Sequence, residues 1–317
     1  MRGRPTAPAK PPLTEGSATA SAAAPQRTLL AIGLMCIAVG LFSCLDATAK
    51  YLATKSGLPI AQVVWLRFIS QMVLMIAVFG PIALPRLLRT QRLWHQIGRS
   101  FLMLASTLFN FLALQHLRLD QTSTFFFLVP LTVALLAGPI LGEWVGWRRM
   151  VAILVGFGGI LIAVRPGFEA VHFAFAFSLM SVLGYAGFAL ITRYLAQFDD
   201  PVATLFYSLI AGSLVMAPIA ISVWEWPSDT TVWLLLALLG FWGGIGHYIF
   251  IIAHRFAPAS TLSPFIYLSL LSHTALGYAV FGDLPDIWTL AGAAVVIGSG
   301  LYLLHRERVT RSEAARD

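Results

Sequence analysis

Charged residues are scarce in this chain. Only 11% of its 317 residues are Asp, Glu, Lys or Arg, whereas an ordinary soluble domain carries about 25%. Hydrophobic residues make up 58%, and the mean hydropathy is +0.80. No stretch between the apolar runs is long enough to fold separately in water. The composition therefore excludes a soluble globular protein and makes the lipid bilayer the relevant solvent.

Cysteine is also rare, with Cys36 and Cys44 as its two occurrences. Both lie inside the first apolar run, and this number and position exclude a disulfide framework and a zinc knuckle. We expect both side chains to pack between helices. The net charge of +7 does not indicate nucleic-acid binding, because the basic residues are dispersed in short loops rather than clustered on one surface. No metal site and no cofactor are predicted.

Several catalytic motifs are absent from the sequence. It contains no Gly-x-Ser-x-Gly, no His-Glu-x-x-His and no Gly-x-x-x-x-Gly-Lys-Ser/Thr. The adjacent acids Asp199 and Asp200 precede Pro201, a pattern typical of a helix N-terminal cap. An intramembrane enzyme is therefore disfavoured, and so is a pump driven by ATP.

Apolar runs of about 20 residues, the length that spans a hydrocarbon core, repeat along the chain. Ten are predicted, at 29–50, 60–84, 100–117, 122–142, 148–164, 172–192, 202–223, 231–253, 259–281 and 287–304. Turn-forming Gly and Pro residues separate many of them, as in a tightly threaded bundle. The sequence thus predicts an all-α integral membrane protein with ten transmembrane helices.

The distribution of basic residues predicts the orientation. With the N-terminus inside, sixteen of the 21 Lys and Arg residues fall on the cytoplasmic side. The predicted outer loops contain four of them: Lys50, Lys55, Arg118 and Arg165. Both termini are expected in the cytoplasm, with a disordered tail at 1–27, a second tail at 306–317 and a bacterial inner membrane as the location.

The two halves of the chain share a weak internal similarity. The fourth span ends in Leu141-Gly142-Glu143, and the ninth ends 140 residues later in Phe281-Gly282-Asp283. Because each half has five spans, an odd number, the second half must enter the bilayer in the opposite direction. Two inverted-topology repeats, 28–167 and 168–305, are therefore predicted, an arrangement typical of secondary transporters.

Longer motifs make the similarity specific. In the first half they are Arg118-Leu-Asp-Gln-Thr-Ser, Pro130, Gly142-Glu143, Gly156-Phe-Gly-Gly159 and Val164-Arg-Pro-Gly167. In the second half they are Ala257-Pro-Ala-Ser-Thr261, Phe281-Gly-Asp-Leu-Pro-Asp286 and Gly292-Ala-Ala294. Over 29–305 the chain resembles an EamA-type member of the drug/metabolite transporter superfamily, with Asp283 where that family usually has glutamate. The resemblance implies ten helices in two inverted repeats and the movement of small organic metabolites.

Ionisable residues at membrane depth are costly and therefore candidates for function. Asp46 and Lys50 lie on the first span and Arg67 on the second, all in the outer half of the predicted bilayer. We expect Asp46 to pair with Arg67. The pair either binds a zwitterionic substrate, opens and closes as an outer gate together with Lys50, or forms a static ion pair between two helices.

The ninth span carries a polar stripe. At about 100° per residue, Ser263, Tyr267 and Thr274 share one face with Ser260 and Tyr278, and this face is expected to line a central cavity. Ser269 and His273 point to the other side of the helix. His273 is accordingly expected to be a packed helix contact rather than a substrate ligand.

Three further residues are candidates in other spans. Asn110 offers a donor and an acceptor near the midplane, either to a substrate or in an interhelical hydrogen bond. Phe126 could form part of an aromatic wall, although aromatic residues also contact lipid. His247 could couple transport to protons, although its glycine-rich surroundings also suit close helix packing.

These observations predict a secondary active transporter that moves a small amino-acid-like, vitamin or nucleoside-like metabolite by alternating access. The driving gradient would be that of the solute, of protons or of another ion. The polar groups and aromatic residues favour a zwitterion with a flat or apolar group. The expected partners are the bilayer and the substrate, with a monomer or a homodimer as the assembly. An intramembrane enzyme and a passive channel remain as alternatives.

Overall fold

The computed structural model describes residues 16–80, 84–141, 146–164, 173–195, 197–256 and 262–314. Within them the fold is all-α, without strands. The first helices are α1 Gly16–Thr54, α2 Ile60–Phe79, α3 Leu84–Leu87, α4 Leu93–Leu114, α5 Leu119–Phe126 and α6 Val129–Leu141. They are followed by α7 Trp147–Val164, α8 Ala174–Leu195, α9 Pro201–Ser222, α10 Thr230–Phe256, α11 Ser269–Leu276 and α12 Ile287–Ala314. A 3-10 segment, Ser263–Leu268, precedes α11, and a π-helical segment, Gly277–Phe281, follows it.

Seven segments within the described residues are helical, long and apolar enough to cross a membrane. They are Leu29–Thr54, Ile60–Phe79, Leu93–Leu114, Leu119–Gly138, Ala174–Leu195, Pro201–Ser222 and Thr230–Ala253. Three shorter apolar helices, Met150–Ala163, Phe265–Phe281 and Ile287–Tyr302, coincide with the remaining predicted spans. Large side chains such as Leu154, Leu214 and Leu271 are 64%, 69% and 67% exposed, as expected where lipid rather than water surrounds the bundle.

Helix α1 begins at Gly16, inside the segment predicted to be a disordered tail. Residues 18–24 are rich in alanine, the residue with the highest helix propensity, so the backbone continues the first span toward the N-terminus. Helix α12 likewise extends to Ala314, within the predicted C-terminal tail.

The segments predicted as the fourth and the ninth spans are both discontinuous. The fourth divides into α5 and α6 at Phe127, next to Pro130, whose missing N–H removes one helical hydrogen bond. The ninth begins as the 3-10 segment with Pro264 near its start and continues as α11. Broken helices of this kind are tolerated at membrane depth where they are buried or line a cavity.

Glycine allows two helices of the bundle to touch. A Cβ atom placed on Gly292 of α12 would lie 2.5 Å from the carbonyl oxygen of Gly159 in α7. A Cβ atom on Gly159 would in turn lie 2.9 Å from the carbonyl oxygen of Gly292. The backbones of α7 and α12 therefore pack directly, as small residues allow in membranes.

The other principal contacts place the helices around a central space. Helix α1 packs on α10 and α11, α2 packs on α9 and α10, and α4 packs on α8 and α9. Phe68, Phe111 and Leu209 belong to one buried apolar cluster, and Phe127 and Leu131 belong to a second. Met103 and Phe111 of the first cluster, and Val129, which packs against the second, line a central cavity.

Candidate functional site

A cavity occupies the centre of the bundle and is lined by residues from α1, α2, α4, α5, α6, α8, α10, the 3-10 segment and α11. It has a volume of about 1110 Å³, including space that is open to solvent. Its polar lining residues are Asp46, Arg67, Ser106, Thr107, Asn110, Thr122, Ser123, Tyr185, His247, Ser269 and His273. A central pocket with a few convergent polar groups in an apolar wall is the usual form of a small-molecule site.

The carboxylate of Asp46 is held by two side chains across the cavity. Asn110 donates from Nδ2 to Oδ1 of Asp46 at 3.0 Å. Nε2 of His273 lies 3.1 Å from the other carboxylate oxygen. Helices α1, α4 and α11 thus meet at one polar point.

Arg67 lines the same cavity, but among the described residues it forms no ion pair with Asp46. The expected pairing of Asp46 with Arg67 is therefore absent from this conformation, in which Asn110 and His273 are the hydrogen-bonding partners of the carboxylate. Arg67 is 2% exposed, its Nε and Nη1 atoms form no hydrogen bond with the described residues, and its guanidinium carbon lies 4.5 Å from the ring centroid of Phe68. A buried guanidinium without a hydrogen-bonding anion is the most unusual electrostatic feature of the cavity.

The predicted face of the ninth span requires correction. Ser269 and His273 line the cavity, whereas Tyr267 and Thr274 do not. The 3-10 segment turns by about 120° per residue, so a phase of 100° does not hold through it. Periodicity also groups residues on a face without showing which face meets the rest of the bundle.

The other members of the predicted stripe have different positions. Tyr267 packs edge-on against Phe127, with 5.1 Å between ring centroids, and its buried hydroxyl forms no hydrogen bond with the described residues. Tyr278 is 62% exposed. The side chain of Ser263 and the whole of Ser260 lie outside the described residues.

Aromatic rings form much of the cavity wall. Phe126 lies 5.1 Å from Tyr185, and Phe42 lies 4.8 Å from the imidazole of His247, measured between ring centroids. The sequence prediction includes Phe126 and His247 but misses Phe42. The signal for Phe42 is its position four residues before Asp46, which places both on one face of α1.

A second cavity continues from the first toward the connection between α8 and α9. The two share Met103, Tyr185, His247 and Phe250. The second is also lined by Arg99, which donates to the Thr192 hydroxyl at 2.6 Å, to the Thr204 carbonyl at 2.7 Å and to the Ser208 hydroxyl at 2.7 Å. His247 therefore lies where the two cavities meet.

At the opposite end of the bundle, ion pairs join the two halves of the chain. Nζ of Lys50 lies 3.2 Å from a carboxylate oxygen of Asp283 and donates to the Leu117 carbonyl at 3.0 Å. Lys50 is not among the residues that line the cavity.

Arg118 strengthens this layer of charges. Its Nη2 atom lies 3.1 Å from Asp120 and 3.4 Å from Asp286. Burial alone would lower the pKa of Arg118, but hydrogen bonds and charge from Asp120 and Asp286 raise it above its ordinary value. Arg118 therefore remains charged and links the start of α5 to the segment that precedes α12.

Among the described residues, no group of three or more His, Cys, Asp or Glu side chains is placed to hold a metal ion.

Comparison with known proteins identifies the family. The model of the EamA-like transporter family matches residues 29–165 and 172–305. An S-adenosylmethionine uptake transporter of Rickettsia bellii is 26% identical over 287 residues, which cover 90% of this chain and 96% of that protein. A riboflavin transporter of Brucella anthropi is 26% identical over 292 residues, covering 88% of this chain and all of that protein.

A solved crystal structure has the same fold, with a TM-score of 0.58 and 18% sequence identity. The match covers 89% of this chain and 97% of the other. The chain therefore belongs to the EamA-like transporter family, as its motifs predict, and is a multi-pass membrane transporter of small metabolites.

Proposed function

We propose that this transporter carries a metabolite with a carboxylate, a cationic group and a flat ring, bound in the central cavity. The observation that carries the proposal is the buried Arg67 guanidinium on the cavity wall, without a hydrogen-bonded anion among the described residues. A buried charge is stable only when it is compensated, and a carboxylate can accept two parallel hydrogen bonds from a guanidinium. A substrate carboxylate would supply the missing partner.

Other residues that line the cavity suit the rest of such a substrate. Asp46 provides a negative charge for an ammonium or sulfonium group, and Asn110 and His273 hold that carboxylate in place. The rings of Phe126, Tyr185 and Phe42 offer faces to a flat group and to a cation.

The names of the relatives point to two substrate classes. S-adenosylmethionine combines a carboxylate, an ammonium, a sulfonium and an adenine ring, whereas riboflavin has a flat ring system but neither an ammonium nor a carboxylate. Arg67 and Asp46 favour an amino-acid-bearing substrate of the first kind. The aromatic wall alone favours a riboflavin-like ligand, which is the second candidate.

Alternating access is the proposed mechanism. The broken fourth and ninth spans both contribute to the cavity wall, as substrate sites of inverted-repeat transporters do. The Lys50–Asp283 and Arg118–Asp286 pairs would close the outer side, while the cavity beside Arg99 would lead to the cytoplasm. This proposal includes ten spans in two inverted repeats, both termini in the cytoplasm, an inner-membrane location and transport without an enzymatic reaction.

The test begins with ligand-induced thermal stabilisation of the detergent-purified protein. The ligands would be S-adenosylmethionine, its decarboxylated form, methionine, adenosine and riboflavin. We expect S-adenosylmethionine to raise the melting temperature most and to show saturable counterflow in proteoliposomes. Arg67→Met should abolish the preference for the carboxylate form, whereas Tyr278→Phe, a change at a 62% exposed side chain outside the cavity lining, should preserve it.

Two results would contradict the proposal in different ways. Stabilisation and counterflow by riboflavin alone would overturn the role of Arg67 and Asp46 in binding a charged substrate. Flux that neither saturates nor shows counterflow would favour a channel over alternating access.

A further inference from the structure

The hydrogen bonds of His273 determine how many protons its side chain carries. Nδ1 lies 2.8 Å from the carbonyl oxygen of Ser269, one turn earlier in α11, and 3.0 Å from the hydroxyl of Ser43. Nε2 lies 3.1 Å from a carboxylate oxygen of Asp46. His273 is 5% exposed, so both nitrogens must satisfy their hydrogen bonds within the protein.

These partners require two protons. The Ser43 hydroxyl could donate to Nδ1, but the Ser269 carbonyl only accepts, and its shorter distance of 2.8 Å assigns a hydrogen to Nδ1. A neutral imidazole has one such hydrogen, and Nε2 would then present a lone pair to the carboxylate of Asp46. Two acceptors at 3.1 Å would repel each other. A second proton must lie between His273 and Asp46, on the imidazole or on the carboxyl group.

We propose that Asp46 and His273 together bind one exchangeable proton and that the cationic group of the substrate displaces it. The proposal rests on the proposed function, because Asp46 is the anion assigned to that group. On binding, the ammonium or sulfonium contacts the Asp46 carboxylate, the proton passes to water, and His273 remains as the neutral imidazole protonated at Nδ1. One positive charge replaces another, so the site exchanges substrate against a proton.

The position of the pair suits this exchange. Asp46 lies on α1 in the first half of the chain and His273 on α11 in the second half, and both line the central cavity. A proton that joins them also joins the two halves, so the binding of substrate would release a contact between the parts that move.

Other charged and titratable groups face the same cavity and must be separated from the pair in any test. They are Arg67 on α2, Tyr185 on α8 and His247 on α10. Lys50 lies one turn beyond Asp46 and pairs with Asp283. His247 is the second cavity histidine, which makes His247→Gln the matched control for His273→Gln.

The first experiment measures proton release with S-adenosylmethionine as the probe, between pH 5 and 7, in weakly buffered detergent solution with a pH indicator dye. We expect about one proton per bound ligand and, where the pair is protonated, an affinity that rises about tenfold per pH unit. His273→Gln should make the affinity independent of pH, whereas His247→Gln should keep the dependence. Binding by wild-type protein without proton release would overturn the inference and leave the proposed function intact. Loss of the dependence in His247→Gln alone would also overturn it.

The second experiment needs no ligand. Nuclear magnetic resonance of protein labelled with 15N-histidine, with the His273→Gln spectrum as the assignment, reports which ring nitrogens are protonated. We expect His273 to be protonated at Nδ1 at neutral pH, and Asp46→Asn to leave it as the neutral Nδ1–H form. A neutral His273 protonated only at Nε2 in wild-type protein would overturn the inference. If the probe fails to bind at every pH, the proposed substrate is wrong, and this spectrum still decides whether Nδ1 of His273 carries the hydrogen that the inference requires.

Discussion

Burial of the Arg67 guanidinium is the main electrostatic cost of the cavity. Its guanidinium is 2% exposed and has two nitrogens without hydrogen bonds among the described residues. Proteins retain such a group where a ligand completes it, because replacement by an apolar side chain would otherwise remove the cost of burial.

Replacing Arg67 with Met should therefore raise the stability of the protein and weaken substrate binding. We expect the ligand-free variant to melt a few degrees above wild type, because a buried charge without a hydrogen-bonded anion is lost. Its affinity for a carboxylate ligand should fall about 10- to 100-fold, since hydrogen bonds to charged groups contribute about 1.5–3 kcal/mol. The decarboxylated ligand should bind both proteins equally, as measured by thermal shift. Equal affinity of the two proteins for the carboxylate form would show that Arg67 does not contact it.

Asp199 lies in the connection between α8 and α9, and its contribution to the stability of the folded state should depend on pH. Although burial raises its pKa, hydrogen bonds from the Thr90 hydroxyl, the Gln91 backbone N–H and Gln96 lower it overall below its ordinary value. A carboxyl group whose pKa is lower in the folded state stabilises that state above its unfolded pKa, and this stabilisation is lost as the pH falls through the folded pKa.

The comparison uses Asp199→Asn. At pH 7 the variant should melt about 2 °C below wild type, because charge interactions near the surface contribute about 0–1 kcal/mol. The difference should shrink as the pH falls below about 4, the usual pKa of Asp. Melting curves in detergent between pH 3 and 7 would measure it, and a difference that widens on acidification would contradict the assignment.

At the scale of the elements, close packing between α7 and α12 depends on Gly159 and Gly292. Gly158, the neighbour of Gly159, provides a control within the same helix, because a Cβ atom there would have no heavy atom within 4 Å. The two positions therefore differ in packing but not in helix propensity.

Gly159→Ala should lower the melting temperature, because its Cβ atom would press on the Gly292 backbone and overpacking costs about 1–3 kcal/mol. Gly158→Ala should leave it unchanged or raise it, since alanine favours a helix by up to about 1 kcal/mol over glycine. Thermal melts of the two variants measure the difference. Equal melting temperatures would show that α7 and α12 can separate without cost.

At the scale of the whole molecule, the Lys50–Asp283 pair joins the first half of the chain to the second on the side opposite the second cavity. The pair would affect the rate of transport only if it forms and breaks during the transport cycle. A pair that does not open would affect stability alone.

Reversing one charge of this pair should slow transport, and reversing both should restore it. Lys50→Glu would place two carboxylates together and reduce counterflow about tenfold or more, because unpaired like charges at partly buried positions cost several kcal/mol. The double variant Lys50→Glu with Asp283→Lys should recover most of the flux. Lys55→Glu, at an exposed position near the end of α1, is the control and should transport normally. A double variant that folds yet stays as slow as the single one would show that the two residues do not act as a pair.

Much of the molecule can be predicted from the sequence. Apolar runs predict membrane helices because hydrocarbon requires about 20 apolar residues with internal hydrogen bonds, whatever their neighbours are. Because charged residues are scarce along those runs, Asp46 and Arg67 can be identified as candidates from the sequence. The structure shows that both line one cavity, together with Asn110, Phe126 and His247. The motifs around Arg118 and Gly156 predict the family, which the family model confirms.

The partner of Asp46 and the inward face of the ninth span are decided only by the tertiary structure. Helical periodicity relates residues within one helix, but it contains no information about which other helix lies opposite or where a 3-10 segment shifts the phase. Asp46 bonds Asn110 and His273 because these side chains are the ones that packing brings within about 3 Å. The sequence by itself determined the membrane class and the family, since these follow from local composition and motifs. The polar centre of the cavity follows from distances across the bundle, which only the folded chain defines.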